Sequence, residues 1–274
     1  MTDKLTDDFQ LRYQNGRSLA DHAGLTPTIH TILGHKSTRS FTSEPLLAGT
    51  LDILIASAQS ASTSSGLQTW STIVIQDPKH KAEVAALAGD QDFIRQAPLF
   101  LLFCADLSRL SKISDQEQQP GKGIEYMDMF VMATVDAALA SQNVSLAAES
   151  MGLGMCYVGA ARNKARELTR MLRLPPRVIG LFGMAIGHPS SDARTSIKPR
   201  LDQREIVHHE FWDDTHQHEY IDEYNKTLKA FYDSEGKLYR DPWSRNAALQ
   251  IAPGKLDGRE LLREVLQEQD FRLR

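Results

Sequence analysis

The chain is poor in sulfur. Its 274 residues include two cysteines, Cys104 and Cys156, each inside an apolar run. That excludes a secreted disulfide scaffold and points to a reducing cytoplasm. It also lacks an excess of basic charge. Lys and Arg number 31 against 35 Asp and Glu, a formal net charge of −4, which argues against a nucleic-acid partner. No run approaches the roughly 20 apolar residues that span a bilayer, so no membrane partner is expected. The start, Met1-Thr2-Asp3-Lys4-Leu5-Thr6-Asp7-Asp8, is too polar for a signal peptide. There is no internal repeat and no Pro/Ser linker. No trusted zinc spacing occurs either: His208-His209-Glu210, Asp213-Asp214, His216 and His218 suit a solvated edge with capping acids, so no metal is expected. What remains, 41% hydrophobic and 24% charged, is a soluble globular composition.

The stretch that stands out is Gly34-His35-Lys36-Ser37-Thr38-Arg39-Ser40-Phe41. An imidazole, two cations and several hydroxyls lie within eight residues. Arg offers a planar fork, Lys a point charge and Ser or Thr short donors, a mixture suited to phosphate. Taken alone, the stretch also fits an ordinary solvated loop.

Periodicity supplies the surroundings. Residues 1–25 are polar and form either a short helix or an arm. Thr26-Pro27-Thr28 reads as a helix entry. Helical spacing predicts helices over about 46–60, 79–88, 124–151 and 161–172, with two or three more in 215–272. Strands are predicted over about 69–75, 98–105, 154–160 and 177–187, with an edge strand at 204–209. Residues 108–122 read as a polar loop able to act as a lid. The glycines of 177–187 suggest close approach by a backbone or ligand. The helix over 124–151 carries a small-residue stripe through Met129, Met132, Ala133, Asp136, Ala137, Ala140, Val144, Ala147 and Ala148. The mixed order gives one α+β domain over 26–274, preceded by an extension at 1–25, with the helices of 215–274 as an excursion.

Four features are candidates to converge: His35 to Arg39, the hydroxyl patch at Ser62-Thr63-Ser64-Ser65, Tyr157-Val158-Gly159-Ala160, and Lys198-Pro199-Arg200. A phosphorylated, ring-bearing cofactor needs such a set: cations for the phosphate, amide donors for the ring edge, a small residue beneath the ring. With Gly89-Asp90-Gln91, Ala147-Ala148-Glu149-Ser150-Met151-Gly152-Leu153-Gly154 and Leu181-Phe182-Gly183, these segments resemble the nitroreductase superfamily. The likeness is to its branch of oxygen-insensitive NADPH nitroreductases and NADPH–flavin oxidoreductases, and it covers about residues 26–201.

The resemblance implies a central mixed or antiparallel sheet wrapped by helices in an interlocked, FMN-binding homodimer. His35, Lys36, Ser37 and Arg39 would meet the phosphate and ring edge. Ser62, Thr63 and Ser64 would reach the cofactor across the subunit interface, and Gln91 would supply an amide near the ring. Tyr157, Val158, Gly159 and Ala160 would cover a ring face or edge, with Lys198 and Arg200 closing on the phosphate. Arg259, with Arg240 as a lesser candidate, would read the NADPH 2′-phosphate. The implied activity is a two-electron, ping-pong reduction of nitroaromatics, quinones or free flavin by NADPH or NADH, in which the flavin carries the hydride and no side chain acts as acid or base. Lys36, where the family often has Arg, Ala160, where it has a second Gly, and Gly66, where it has a bulky residue, depart from the pattern. The poorly matched 252–259 segment leaves open a flavin store or sensor that does not turn over.

Overall fold

The computed structural model describes residues 2–14, 26–193, 195–236 and 241–274. Strands β1 (Trp70–Ile75), β2 (Leu99–Asp106), β3 (Gly154–Val158) and β4 (Val178–Gly187) form one antiparallel sheet in the order β1-β2-β4-β3. The helices, in chain order, are α1 (Thr2–Tyr13), α2 (Pro27–Leu33), α3 (Thr50–Gln59), α4 (Pro78–Leu87), α5 (Asp92–Gln96) and α6 (Ser108–Gln116), then α7 (Met127–Ser150), α8 (Ala165–Met171), α9 (Gln203–Ile206), α10 (Gln217–Ser234), α11 (Trp243–Gln250) and α12 (Leu262–Glu268). The class is α+β. The chain divides into two compact units. Residues 37–194 and 257–274 hold the sheet, and residues 1–36 and 195–256 form a helical unit.

In the sheet unit every residue of β2 is buried, so both faces of the strand must be covered. Phe100, Leu102 and Cys104 face Val84 of α4, Phe93 of α5 and Leu168 of α8. Leu99, Leu101 and Phe103 face Leu54 of α3 and Ala140, Val144 and Ala148 of α7. The small-residue stripe predicted on α7 is the surface that lets this helix lie against the sheet. The helix itself has 24 residues, about 36 Å.

The predicted helix entry holds. The Thr26 hydroxyl accepts from the Ile29 N–H (3.4 Å) and Pro27 begins α2. Two expectations are corrected, and a third, the close approach at the β4 glycines, is resolved between its alternatives. Residues 108–122 are not a continuous loop, because α6 covers Ser108–Gln116. Leu107 is buried, Leu110 is half-buried, and Arg109 donates to the carbonyl of Gln68, contacts that the polar composition hid. Residues 204–209 are not an edge strand. The Asp202 carboxylate caps the Arg204 N–H (2.9 Å) and starts the short helix α9, whose Arg204 lies 4.5 Å over the Tyr220 ring. The glycines of β4 make room for the neighbouring strand rather than a ligand. A Cβ at Gly183 would run into the Phe100 ring, one at Gly180 would lie 3.0 Å from Leu102, and one at Gly187 2.5 Å from Pro98.

Candidate functional site

The sheet unit gathers several predicted residues around β3. The Thr38 N–H donates to the Met155 carbonyl (2.9 Å), and the buried Thr38 side chain fills the space over Gly154, where a Cβ would lie 2.7 Å away. This register sets the Arg39 side chain beside Cys156, with the residue as a whole exposed. Burial pushes the Cys156 thiol up, and the hydrogen-bonded Arg39 charge pulls against it. Ser37 is half-buried at the start of the same segment.

Beyond β3 the backbone turns through a 3-10 segment, Gly159–Arg162. A Cβ at Gly159 would meet only the Arg162 guanidinium, at 3.6 Å, so this backbone is open to an approaching group. Gly89, with φ +83°, turns against Ala160; a Cβ there would lie 2.9 Å from the Ala160 methyl and 3.5 Å from the Gln91 Nε2. The Gln91 Nε2 donates to the Ala88 carbonyl (3.3 Å), which holds the amide beside the Gly89 turn. Tyr157 is partly exposed. Its hydroxyl sits 3.1 Å from Ser141 Oγ, and its ring meets the edge of Phe182 at 5.6 Å. Val158 points into the core and is buried, so its side chain supports β3 while its backbone leads into the open turn.

The hydroxyl patch divides in two. Asp136 of α7 is 1% exposed and accepts four hydrogen bonds: from Thr63 Oγ1 (2.6 Å), Ser64 N–H (3.1 Å), Thr69 N–H (3.0 Å) and Thr69 Oγ1 (2.9 Å). Thr63 also accepts from the Gln68 N–H (2.8 Å). Burial pushes the Asp136 carboxyl up, but these donors more than reverse it and leave the group below the ordinary carboxylate range. Thr63 thus faces inward, whereas Ser62 and Ser64 are exposed. Left-handed backbone at Ser65, Gly66 and Gln68 bends the loop around this anchor. On its other side Arg109 reaches the Ser71 hydroxyl (2.9 Å) and Asp106 (3.2 Å).

Arg259 lies close enough to Arg162 that its charge, after burial, helps to lower the Arg162 pKa. Arg162 donates to the Leu181 carbonyl, and Arg259 pairs loosely with Asp257 (3.8 Å). Arg240 lies outside the described residues.

The helical unit holds the other cations. Lys36, Lys198 and Arg200 are exposed and His35 is half-buried. Buried Pro199 fixes the second segment: its carbonyl accepts from the Tyr224 hydroxyl (3.0 Å) and from the Arg200 guanidinium (3.3 Å). The Lys198 ammonium rests 5.4 Å over the Tyr232 ring. Arg12 of α1, absent from the predicted set, is buried between the two basic segments and donates to the carbonyls of Leu33, His35 and Lys198. Sequence reasoning also passed over Arg162 and used Asp136 only as part of a stripe. A carboxylate inside an alanine stripe was the available signal for Asp136; a single arginine in a polar segment offered none.

The sequence profile of the nitroreductase family matches residues 32–188, and that of the nitroreductase family C-terminal domain matches residues 198–274. The FMN reductase (NADPH) of Bacillus subtilis is 42% identical over 209 residues, 75% of this chain and 83% of its own length. The oxygen-insensitive NADPH nitroreductase of Salmonella typhimurium is 33% identical over 256 residues, covering 91% of this chain and 100% of that protein. The solved structure of the NfrA1 nitroreductase from B. subtilis superposes with a TM-score of 0.83 at 37% identity, over 89% of this chain and 99% of that one. The chain belongs to the nitroreductase family.

Proposed function

We propose that this protein is an FMN-dependent NAD(P)H oxidoreductase that reduces nitroaromatics, quinones or free flavin by two electrons in a ping-pong cycle. The observation that carries the reading is the surround of β3: an exposed Arg39 beside Cys156, an open backbone at Gly159 and the Gln91 amide held at the Gly89 turn. It is supported by relatives named for FMN reductase and NADPH nitroreductase activity. The donor set fits FMN. Arg39 and Ser37, with His35, Lys36, Lys198 and Arg200, have the chemistry for a phosphate dianion. Gln91 offers an amide to the ring edge, and the missing Cβ at Gly159 spares the space a planar ring needs. Bound FMN supplies the hydride chemistry. The protein's part is to hold the ring, to keep cationic charge near its pyrimidine edge through Lys36 or Arg39, and to present a slot that donor and acceptor use in turn. Arg259, next to Arg162, is the proposed contact for the NADPH 2′-phosphate, with Arg240 a lesser one.

The working form we infer is a homodimer whose residues 26–274 act as one functional domain, with 215–274 as an excursion. A row of exposed apolar residues along α7, Met127, Val131, Val135 and Leu139, supports an apolar partner surface of this kind. Ser62 and Ser64, with Thr63 behind them, are the hydroxyls that would serve the partner's cofactor. No helix among the described residues is long and apolar enough to cross a membrane, and a cytoplasmic setting fits the two buried free thiols. The test is stopped-flow reduction of the FMN-loaded protein. NADPH should bleach the flavin absorbance and a quinone or nitrofuran should restore it. Bound flavin that neither NADPH nor NADH bleaches would refute the enzyme and leave a flavin-binding protein.

A further inference from the structure

Arg12 lies ahead of residue 32, where the family match begins, in a segment whose only sequence signal is polarity. The residue is nevertheless buried, 7% exposed, and its guanidinium donates to three carbonyls from two distant segments. Nη2 donates to Leu33 (2.9 Å) and His35 (2.8 Å), and Nη1 donates to Lys198 (2.9 Å). The Arg200 N–H donates in return to the Arg12 carbonyl (2.8 Å). Leu33 ends α2, so a fixed cation here also meets the negative end of a short helix. The rigid fork of an arginine sets the spacing among these carbonyls; the smaller ammonium of a lysine reaches fewer of them at once. Lys36, Lys198 and Arg200 stay exposed on the segments that Arg12 ties together, with Lys198 over the Tyr232 ring and Arg200 on the Pro199 carbonyl.

We propose that Arg12 is a positioning residue for the phosphate end of FMN: it locks the His35-Lys36 and Lys198-Arg200 segments at one spacing, so that their cations arrive preorganised. The inference rests on reading those four residues as phosphate contacts. Preorganisation lowers the ordering cost of binding, and the part removed by Arg12 is specific to the phosphate.

FMN differs from riboflavin only in its phosphate, so the pair separates positioning from general loosening. Full-length apoprotein, wild type and Arg12→Ala, is titrated with each flavin by fluorescence quenching, and Arg12→Lys serves as a conservative variant should the alanine protein fail to fold. Arg12→Ala should raise the FMN dissociation constant about tenfold, the equivalent of one charged hydrogen bond, while riboflavin binding changes by less than about twofold. Arg12→Lys should fall between wild type and alanine for FMN alone. Unchanged FMN binding in both variants, or an equal loss for both flavins, would overturn the positioning role. A wild-type protein that binds FMN no better than riboflavin would instead overturn the phosphate reading, and this inference with it.

Discussion

Asp136→Ala removes a single acceptor on which four donors converge. Thr69 is wholly buried, and both its N–H and its hydroxyl lose their partner. A buried group left unpaired costs about 1–3 kcal/mol. Thr63 is half-buried and Ser64 exposed, so both can regain water and their loss is smaller. Two terms oppose: a carboxylate no longer has to be kept out of water, and alanine is a better helix former by under about 1 kcal/mol. The net loss should be about 2–4 kcal/mol, which for a chain of this size lowers the melting temperature by roughly 5–15 °C. Asp136→Asn should lose less, because an amide oxygen can keep the three donors now on Oδ2, leaving the Ser64 N–H against an NH2 group. The pH dependence gives an independent handle. The folded carboxyl sits below its ordinary value of 3.8, so its stabilisation is present above that value and is lost as the pH falls through the folded one. Thermal unfolding of the apoprotein should therefore show a wild-type advantage over Asp136→Asn at neutral pH that shrinks once the pH drops below about 4. An Asp136→Ala protein melting within about 2 °C of wild type, or an advantage over Asn that persists undiminished in acid, would refute the anchor as described.

Two further substitutions separate the sheet from the site. Gly183→Ala should drive a methyl into the buried Phe100 ring and cost at least about 3 kcal/mol, read as a large fall in urea midpoint, whereas Gly159→Ala meets only an ordinary contact and should unfold like wild type while binding FMN more weakly. Equal unfolding midpoints for the two would disprove the packing assignment. Arg259→Ala should raise the Michaelis constant for NADPH more than for NADH; equal effects would mean that the 2′-phosphate is recognised elsewhere.

How far such features can be read from sequence depends on whether they repeat. Burial on both faces made β2 a continuous apolar run, and close packing made α7 a stripe of small residues. Both signals recur along an element, so periodicity finds them. The helix α6 was hidden because Leu107 and Leu110 are few among polar neighbours, and α9 because one capping carboxylate, Asp202, decides four residues. Arg12, which ties two segments of the helical unit, and Asp136, which anchors a loop of the sheet unit, are single residues, one in a polar segment and one in an alanine stripe. Only Asp136 could have been inferred, since an ionised carboxylate is not buried without donors. That demand has a consequence for the patch it meets. Two of its four donors are backbone N–H groups and two are hydroxyls, of Thr63 in the hydroxyl-rich stretch and of Thr69 just beyond it. Part of that composition is therefore the anchor's requirement and not a ligand's. The structure divides it accordingly, Thr63 and Thr69 turned inward to Asp136 and Ser62 and Ser64 left outward. A hydroxyl-rich loop next to a helix with one core carboxylate offers a ligand only the hydroxyls that remain after that carboxylate is satisfied. Here that points to Ser62 and Ser64 as the side chains to test for contact with flavin, and to Thr63 as the one whose loss should be felt first in the loop.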